Sequence, residues 1–274
     1  MKRRLLLAGP LALLGGAAAA QSARAAPLKV HLVAEAFPPL QYADAQGQPH
    51  GTAHDLAVAA LALAGAQLPL EVAALQFVPL QRALMMAASQ PDTLVLSIAR
   101  TPEREQRLRW IAPIAPYELW LYRLRSSEPL PASFDALRGH GLRFGAQLRS
   151  NFHEWLLRQG LGTAPDNSVI DTVARNNLNF LKSRAGRIDY FAHPSISFTY
   201  RAAEQGLRPA DFEPVLRIDE LSMPLWAATG PDSDERLVAA LMRAFAELQQ
   251  SGRAARLHEQ SMRQFNTLHR LEGG

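Results

Sequence analysis

The feature that most constrains this chain is the alternation of short apolar runs with amphipathic stretches of helical period. Lys29–Val33, Glu71–Leu75 and Leu94–Ile98 read as strands, and Asp55–Ala64 and Pro79–Ala88 read as helices between them. On Pro79–Ala88 the stripe predicted to face the core is Leu80, Leu84 and Ala88. Such alternation is the mark of an α/β fold with mainly parallel sheets. The most informative piece is Leu94–Pro113, LVLSIARTPEREQRLRWIAP. A buried strand breaks into Ala99-Arg100-Thr101-Pro102-Glu103-Arg104, where threonine caps and proline opens a helix. The turn therefore delivers Arg100, Thr101 and Arg104 to the carboxyl end of a strand, where ligands bind in open α/β sheets. Two guanidiniums beside free helical N–H groups would receive a carboxylate or another small anion.

The N-terminus reads as an export signal. Lys2, Arg3 and Arg4 precede an apolar run, Leu5 to Ala20, and Ala-rich cleavage positions follow. This pattern predicts a signal peptide over 1–25, cleaved near residues 20–26, and a periplasmic protein. Residues 1–25 carry four basic residues and no acid, so the rest of the chain balances at 25 basic and 25 acidic residues. The basic overall character belongs to the leader and gives no argument for nucleic-acid binding. The chain contains no cysteine, which excludes disulfides and thiolate metal sites. The histidines show no metal spacing, and no cofactor motif is present.

The pattern restarts after Ser126–Ser133, a Ser- and Pro-rich boundary. Beyond it the expected strands are Leu142–Ala146, Val169–Asp171, Ile188–Ala192, Val215–Ile218 and Leu225–Ala228. The expected helices are Asn151–Gln159, Thr172–Arg184, Pro194–Gln205, Asp232–Gln250 and Ala254–Met262. This organisation predicts one lobe over 27–122 and 224–264, a second over 126–220, and a polar tail over 265–274. Two chain crossings would form a hinge with a ligand cleft between the lobes.

In their order, these pieces resemble periplasmic solute-binding proteins of family 3, the polar amino-acid type. The resemblance rests on Phe37-Pro38-Pro39-Leu40 with Gly47 and Gly51…Asp55-Leu56; Thr101-Pro102-Glu103-Arg104; Trp110…Pro113-Ile114; Phe134…Gly139; Gly186-Arg187-Ile188-Asp189; and Leu237–Gly252 followed by Leu257. It implies a two-lobe, Venus-flytrap, type II periplasmic-binding-protein fold. It also implies a monomer that binds a carboxylate-bearing solute, an amino acid or related organic acid, for an inner-membrane ABC permease. Arg104 would hold the ligand carboxylate, Phe37 would pack on the ligand, and Ser97 and Ala99 would line the same pocket. Arg149-Ser150-Asn151 would supply donors from the second lobe. The family's ammonium-pairing aspartate is replaced by Pro194, with His193 just before it. An unpaired ammonium in a closed cleft is expensive, so either Glu35 serves or the ligand is an organic acid or modified amino acid. Two other readings stay open. One is a secreted enzyme on this fold, resembling cyclohexadienyl dehydratase, with Glu35 or His193 as acid–base group. The other is a sensor acting on a membrane receptor.

Overall fold

The computed structural model describes residues 26–162 and 167–271; the expected export signal, residues 1–25, lies outside them. Thirteen strands are present among the described residues: β1 (Leu28–Ala34), β2 (Tyr42–Ala43), β3 (Pro49–His50), β4 (Leu70–Val72), β5 (Gln76–Phe77), β6 (Thr93–Ala99), β7 (Arg109–Ala115), β8 (Leu119–Leu124), β9 (Arg143–Gln147), β10 (Val169–Val173), β11 (Tyr190–Pro194), β12 (Phe212–Arg217) and β13 (Leu225–Thr229). The α-helices are α1 (Thr52–Gly65), α2 (Leu80–Ser89), α3 (Pro102–Glu105), α4 (Asn151–Arg158), α5 (Leu178–Arg184), α6 (Ser195–Glu204), α7 (Glu235–Gln250) and α8 (Arg253–His269).

The strands form two main sheets. The first has the order β4-β1-β6-β13-β7, with β5 also on β1; the second has the order β10-β9-β11-β8-β12. In each sheet the strands at one side are parallel and the two at the other side pair antiparallel. The parallel strands need helical crossovers, and those helices cover both faces. Apolar side chains of α1 and α7 fill one face of the first sheet around Leu32, Leu96 and Phe245, while Ala83 and Ala87 of α2 fill the other. The second sheet buries Phe152, Trp155 and Leu156 of α4 on one face and Phe180, Phe198 and Ala202 of α5 and α6 on the other. The result is the expected two-lobe α/β architecture.

The chain crosses between lobes twice, through Pro116–Glu118 and through 218–224. Hydrogen bonds tie the crossings together: Met223 N–H donates to the Tyr117 carbonyl (2.9 Å), Leu119 N–H to Ser222 Oγ (3.0 Å), and Ile218 N–H to the Leu119 carbonyl (2.8 Å). Several expected boundaries move. β8 pairs with β11 and β12, so residues 119–122 belong to the second lobe and not the first. The Ser126–Ser133 loop lies inside that lobe, where the Ser126 N–H donates to Glu213, a residue also held by Arg123 of β8. Residues 172–173, read as helix, extend β10, because Val173 continues the parallel ladder to Gln147. α8 runs to His269 with Phe265 only 1% exposed, so most of the segment read as a polar tail is packed helix. On α2 the buried stripe is Ala83 and Ala87, while Leu80 and Leu84 are half-buried and Ala88 is exposed.

Candidate functional site

The site grows from the carboxyl ends of β1 and β6. After β1 the chain turns sharply through Phe37-Pro38-Pro39-Leu40. Phe37 N–H donates to the Gln41 carbonyl (2.8 Å) and Leu40 N–H to the Phe37 carbonyl (2.8 Å). Gly51 closes this turn at the start of α1 with φ of +118°; a Cβ there would lie 2.5 Å from the Leu40 carbonyl oxygen. Only glycine fits that backbone region and that close approach.

Gln41 fastens the turn to the sheet. It is almost fully buried, its Nε2 donates to the Glu35 carbonyl (3.0 Å), and its Oε1 accepts from Ser97 Oγ (2.7 Å). Ser97 lies within β6 yet has φ of +58°, opposite a register irregularity in β13 between Trp226 and Ala228. A serine held in the left-handed region inside a strand is a local strain that its surroundings must sustain. The Gln41 bond is one such support. Ser97 thus acts on the Phe37 loop through Gln41.

Around this turn Phe37, Leu40, Ala53, Ala99, Ile114, Ala115 and Leu225 of the first lobe pack with Tyr117 of the crossing and Ile196 of α6 in the second lobe. Phe37 and Tyr117 meet edge to face with ring centroids 6.3 Å apart. Burial pushes the Tyr117 phenol up to about 12, so it stays neutral. The cluster therefore gives the junction of the lobes an apolar, aromatic floor.

Arg104 lies beside it. Thr101 is extended and precedes the four-residue α3, and its hydroxyl donates to Glu103, lowering that carboxylate's pKa rather than capping a backbone N–H. Arg104 is half-buried, and its Nη1 donates to the Ala99 carbonyl at 3.0 Å. Among the described residues no carboxylate lies within 4.0 Å of it. Desolvation pulls its pKa down, with Glu103 opposing. A guanidinium has five N–H donors in a fork that matches a carboxylate, and one contact to a neutral carbonyl leaves most of that fork free.

Arg100 does not join Arg104. Its guanidinium pairs with Glu105 through two contacts, Nε to Oε2 at 2.8 Å and Nη2 to Oε1, and lies over the rings of Trp226 (4.9 Å) and Trp110 (5.5 Å). It borders an open cavity of about 560 Å³ with Thr101, Pro102, Glu105, Met223, Pro224 and Trp226. The expected pair of anion-binding guanidiniums is thus split, because Glu105 and two tryptophans already occupy Arg100.

In the second lobe, Arg149 has φ of +60°, is exposed, and has no ion-pair partner among the described residues. Its N–H donates to His153 Nδ1 (3.2 Å). Ser150 Oγ accepts from His153 N–H (3.1 Å) and Asn151 Oδ1 from Phe152 N–H (2.9 Å). These side chains cap α4 themselves, so the expected set of free helical donors is reduced. His193 falls outside the site. It is 4% exposed, lies against Phe180 (5.1 Å) and Phe198 (5.9 Å), and hydrogen-bonds the Pro194 carbonyl through Nδ1 (3.0 Å). Burial pushes its pKa down to about 4. Pro194 precedes α6 and brings no carboxylate. Glu35 is exposed, and its backbone carbonyl, not its carboxylate, makes the contact with Gln41.

Sequence reasoning missed Gln41, Tyr117 and Ile196. Gln41 directly follows the Phe-Pro-Pro-Leu turn, but nothing local marks a glutamine for burial. Tyr117 and Ile196 join the site only through tertiary packing. Among the described residues no group of three or more His, Asp or Glu could hold a metal ion, and no helix is long and apolar enough to cross a membrane.

Solved structures share this architecture. A histidine kinase sensor domain with similarity to periplasmic binding proteins superposes with a TM-score of 0.66 at 18% identity, covering 85% of this chain and 96% of that one. The amino-acid ABC-transporter substrate-binding protein AbpA from Streptococcus pneumoniae, bound to L-arginine, gives 0.63 at 18% identity, with 86% and 95% covered. An ancestral amino-acid-binding protein, AncCDT-1, a precursor of cyclohexadienyl dehydratase, gives 0.62 at 18% identity, with 85% and 94% covered. At these identities the likeness shows the fold. Among curated protein sequences no relative matches. The family profile of bacterial extracellular solute-binding proteins, family 3, matches residues 30–264, nearly the whole described chain, and the chain belongs to that family.

Proposed function

We propose that this protein, exported to the periplasm, captures a small carboxylate-bearing solute between its lobes as a monomer and presents it to an inner-membrane ABC-type importer. The observation that carries this reading is Arg104: a half-buried guanidinium with one neutral carbonyl partner, at the carboxyl end of β6. Such a group is costly to leave uncompensated, and a carboxylate satisfies it with paired charge-assisted hydrogen bonds. Phe37 and Tyr117 offer an apolar face to the body of the solute, and Arg149, Ser150 and Asn151 offer polar contacts from the second lobe. The ligand drives closure to the extent that it binds the closed form better than the open one.

Within this reading an organic acid, or an amino acid with a masked amine, fits better than an ordinary α-amino acid. Pro194 replaces the carboxylate that the resemblance leads one to expect, and Phe37, Tyr117 and Ile196 are neutral. We read the protein as a binder rather than an enzyme. Of its two acid–base candidates, His193 is enclosed by the rings of the second lobe, which leaves Glu35 alone.

A thermal-shift screen of amino acids and small carboxylates tests this. At least one compound should raise the melting temperature in a concentration-dependent way, as linkage requires. Arg104→Ala should abolish that shift, and Arg104→Lys should weaken it by losing the forked geometry. A shift that survives Arg104→Ala overturns the anchor assignment. Product formation from any stabilising acid overturns the binder reading.

A further inference from the structure

α8 reaches beyond its own lobe. It is fastened to the first lobe where Ser261 Oγ donates to Asp55 of α1 and where Phe265 meets Tyr42, with ring centroids 5.1 Å apart. Its last turns then meet the second lobe. The ring of Tyr200 on α6 lies 5.2 Å from that of Phe265 and 4.8 Å from that of His269. Phe265 and His269 are themselves 4.4 Å apart, and Tyr42 is 5.8 Å from His269. Four aromatic rings from α6, α8 and the β2–β3 hairpin thus form one cluster across the boundary between the lobes. Beside it, Ala203, Glu204 and Leu271 line a cavity of about 240 Å³ together with Tyr200 and His269.

The face of α6 that does this is the one already at the cleft. Ile196 and Tyr200 are four residues apart, one above the other on a single helical face. Ile196 enters the cluster of Phe37, Leu40 and Ala99, while Tyr200 enters the cluster of α8. A rotation about the two crossings that opens the cleft at Ile196 must also move Tyr200 relative to Phe265 and His269.

We infer that the C-terminal turns of α8 form a noncovalent latch on α6, which favours the closed arrangement of the lobes before any ligand arrives. Unlike the two covalent crossings, the latch can be made and broken, as can the Ile196 contact at the other end of the same helical face. The strength of the latch sets the fraction of molecules poised to bind, and apparent affinity scales with that fraction.

The absence of cysteine makes the test direct. Val58 on α1 and Leu181 on α5, both exposed, are replaced by cysteine and spin-labelled, and the distance distribution between lobes is measured in the full chain without ligand. Tyr200→Ala should move population to longer distances by about two- to tenfold, the factor carried by a lost aromatic pair, while Tyr200→Phe keeps the parent distribution. His269→Ala, in the last turn of α8, should act in the same direction and serves if Tyr200→Ala does not fold. Folded Tyr200→Ala or His269→Ala proteins whose distributions are unchanged, or shifted to shorter distances, overturn the latch. The readout needs no ligand, so it stands or falls apart from the carboxylate assignment.

Discussion

His193 should make the second lobe acid-sensitive in a defined window. Its ring is enclosed by Phe180 and Phe198, its Nδ1 is engaged with the Pro194 carbonyl, and Arg201 adds a repulsive charge. Burial holds the native pKa at about 4, below the ordinary value of 6.5. The unfolded chain therefore takes a proton below pH 6.5 that the native lobe refuses until about pH 4. The neutral ring's contribution is complete above 6.5 and is lost as pH falls through this interval, at a slope approaching about 1.4 kcal/mol per pH unit. Between pH 7 and pH 5 the loss is about 2 kcal/mol, and it levels off below pH 4 at about 3 kcal/mol. Urea unfolding followed by tryptophan fluorescence, at several pH values, reads this directly. His193→Phe keeps a ring among Phe180 and Phe198 and removes the titration. Carboxylates that titrate in the same range act equally in both proteins, so the difference between their stability curves isolates His193. Parallel curves from pH 7 to pH 4.5 would refute the reasoning, whatever constant offset the lost Pro194 contact introduces.

Two perturbations test the support beneath Phe37. Gln41→Leu leaves the Glu35 carbonyl and the Ser97 hydroxyl without their partner and should cost about 1–3 kcal/mol in chemical unfolding; a smaller loss would mean that Gln41 does not hold the turn to β6. Gly51→Ala places a Cβ 2.5 Å from the Leu40 carbonyl oxygen at φ of +118°. It should destabilise by at least about 1–3 kcal/mol, and a neutral result would refute the strained geometry of the turn.

The elements legible in the sequence were those whose burial is decided by their own pattern. β6 runs apolar from Leu94 to Ala99 except at Ser97, and α7 carries Leu237, Leu241 and Phe245 at helical spacing, all three of them buried. The misplaced features depend on distant partners. Nothing within 172–184 says that the first two residues prolong a strand; Gln147 on β9 decides it. The stripe of α2 shifted from Leu80 and Leu84 to Ala83 and Ala87 because the helix comes very close to the sheet. A Cβ on Gly230, just past β13, would lie 2.0 Å from the Ala87 carbonyl oxygen, so the α2 backbone approaches there as closely as only glycine allows. Phe265 is buried while its neighbour Leu268 is exposed, because Tyr42 and Tyr200 converge on Phe265 from far away in the chain.

The site divides along the same line. Arg100 and Arg104 look equivalent in the sequence, four residues apart on one turn that follows a strand. Glu105 separates them by taking the first in an ion pair, and Trp226, far along the chain, adds a ring beneath it. Arg104 keeps only the Ala99 carbonyl, and its partial burial depresses its pKa because the environment compensates the charge poorly. In the function proposed above, that deficit is what suits Arg104 to receive a carboxylate. Desolvation of Arg104 is already incurred in the ligand-free fold, so an arriving carboxylate meets a guanidinium that gains more from pairing than a hydrated one would. Arg100, already neutralised by Glu105, has no such gain to offer.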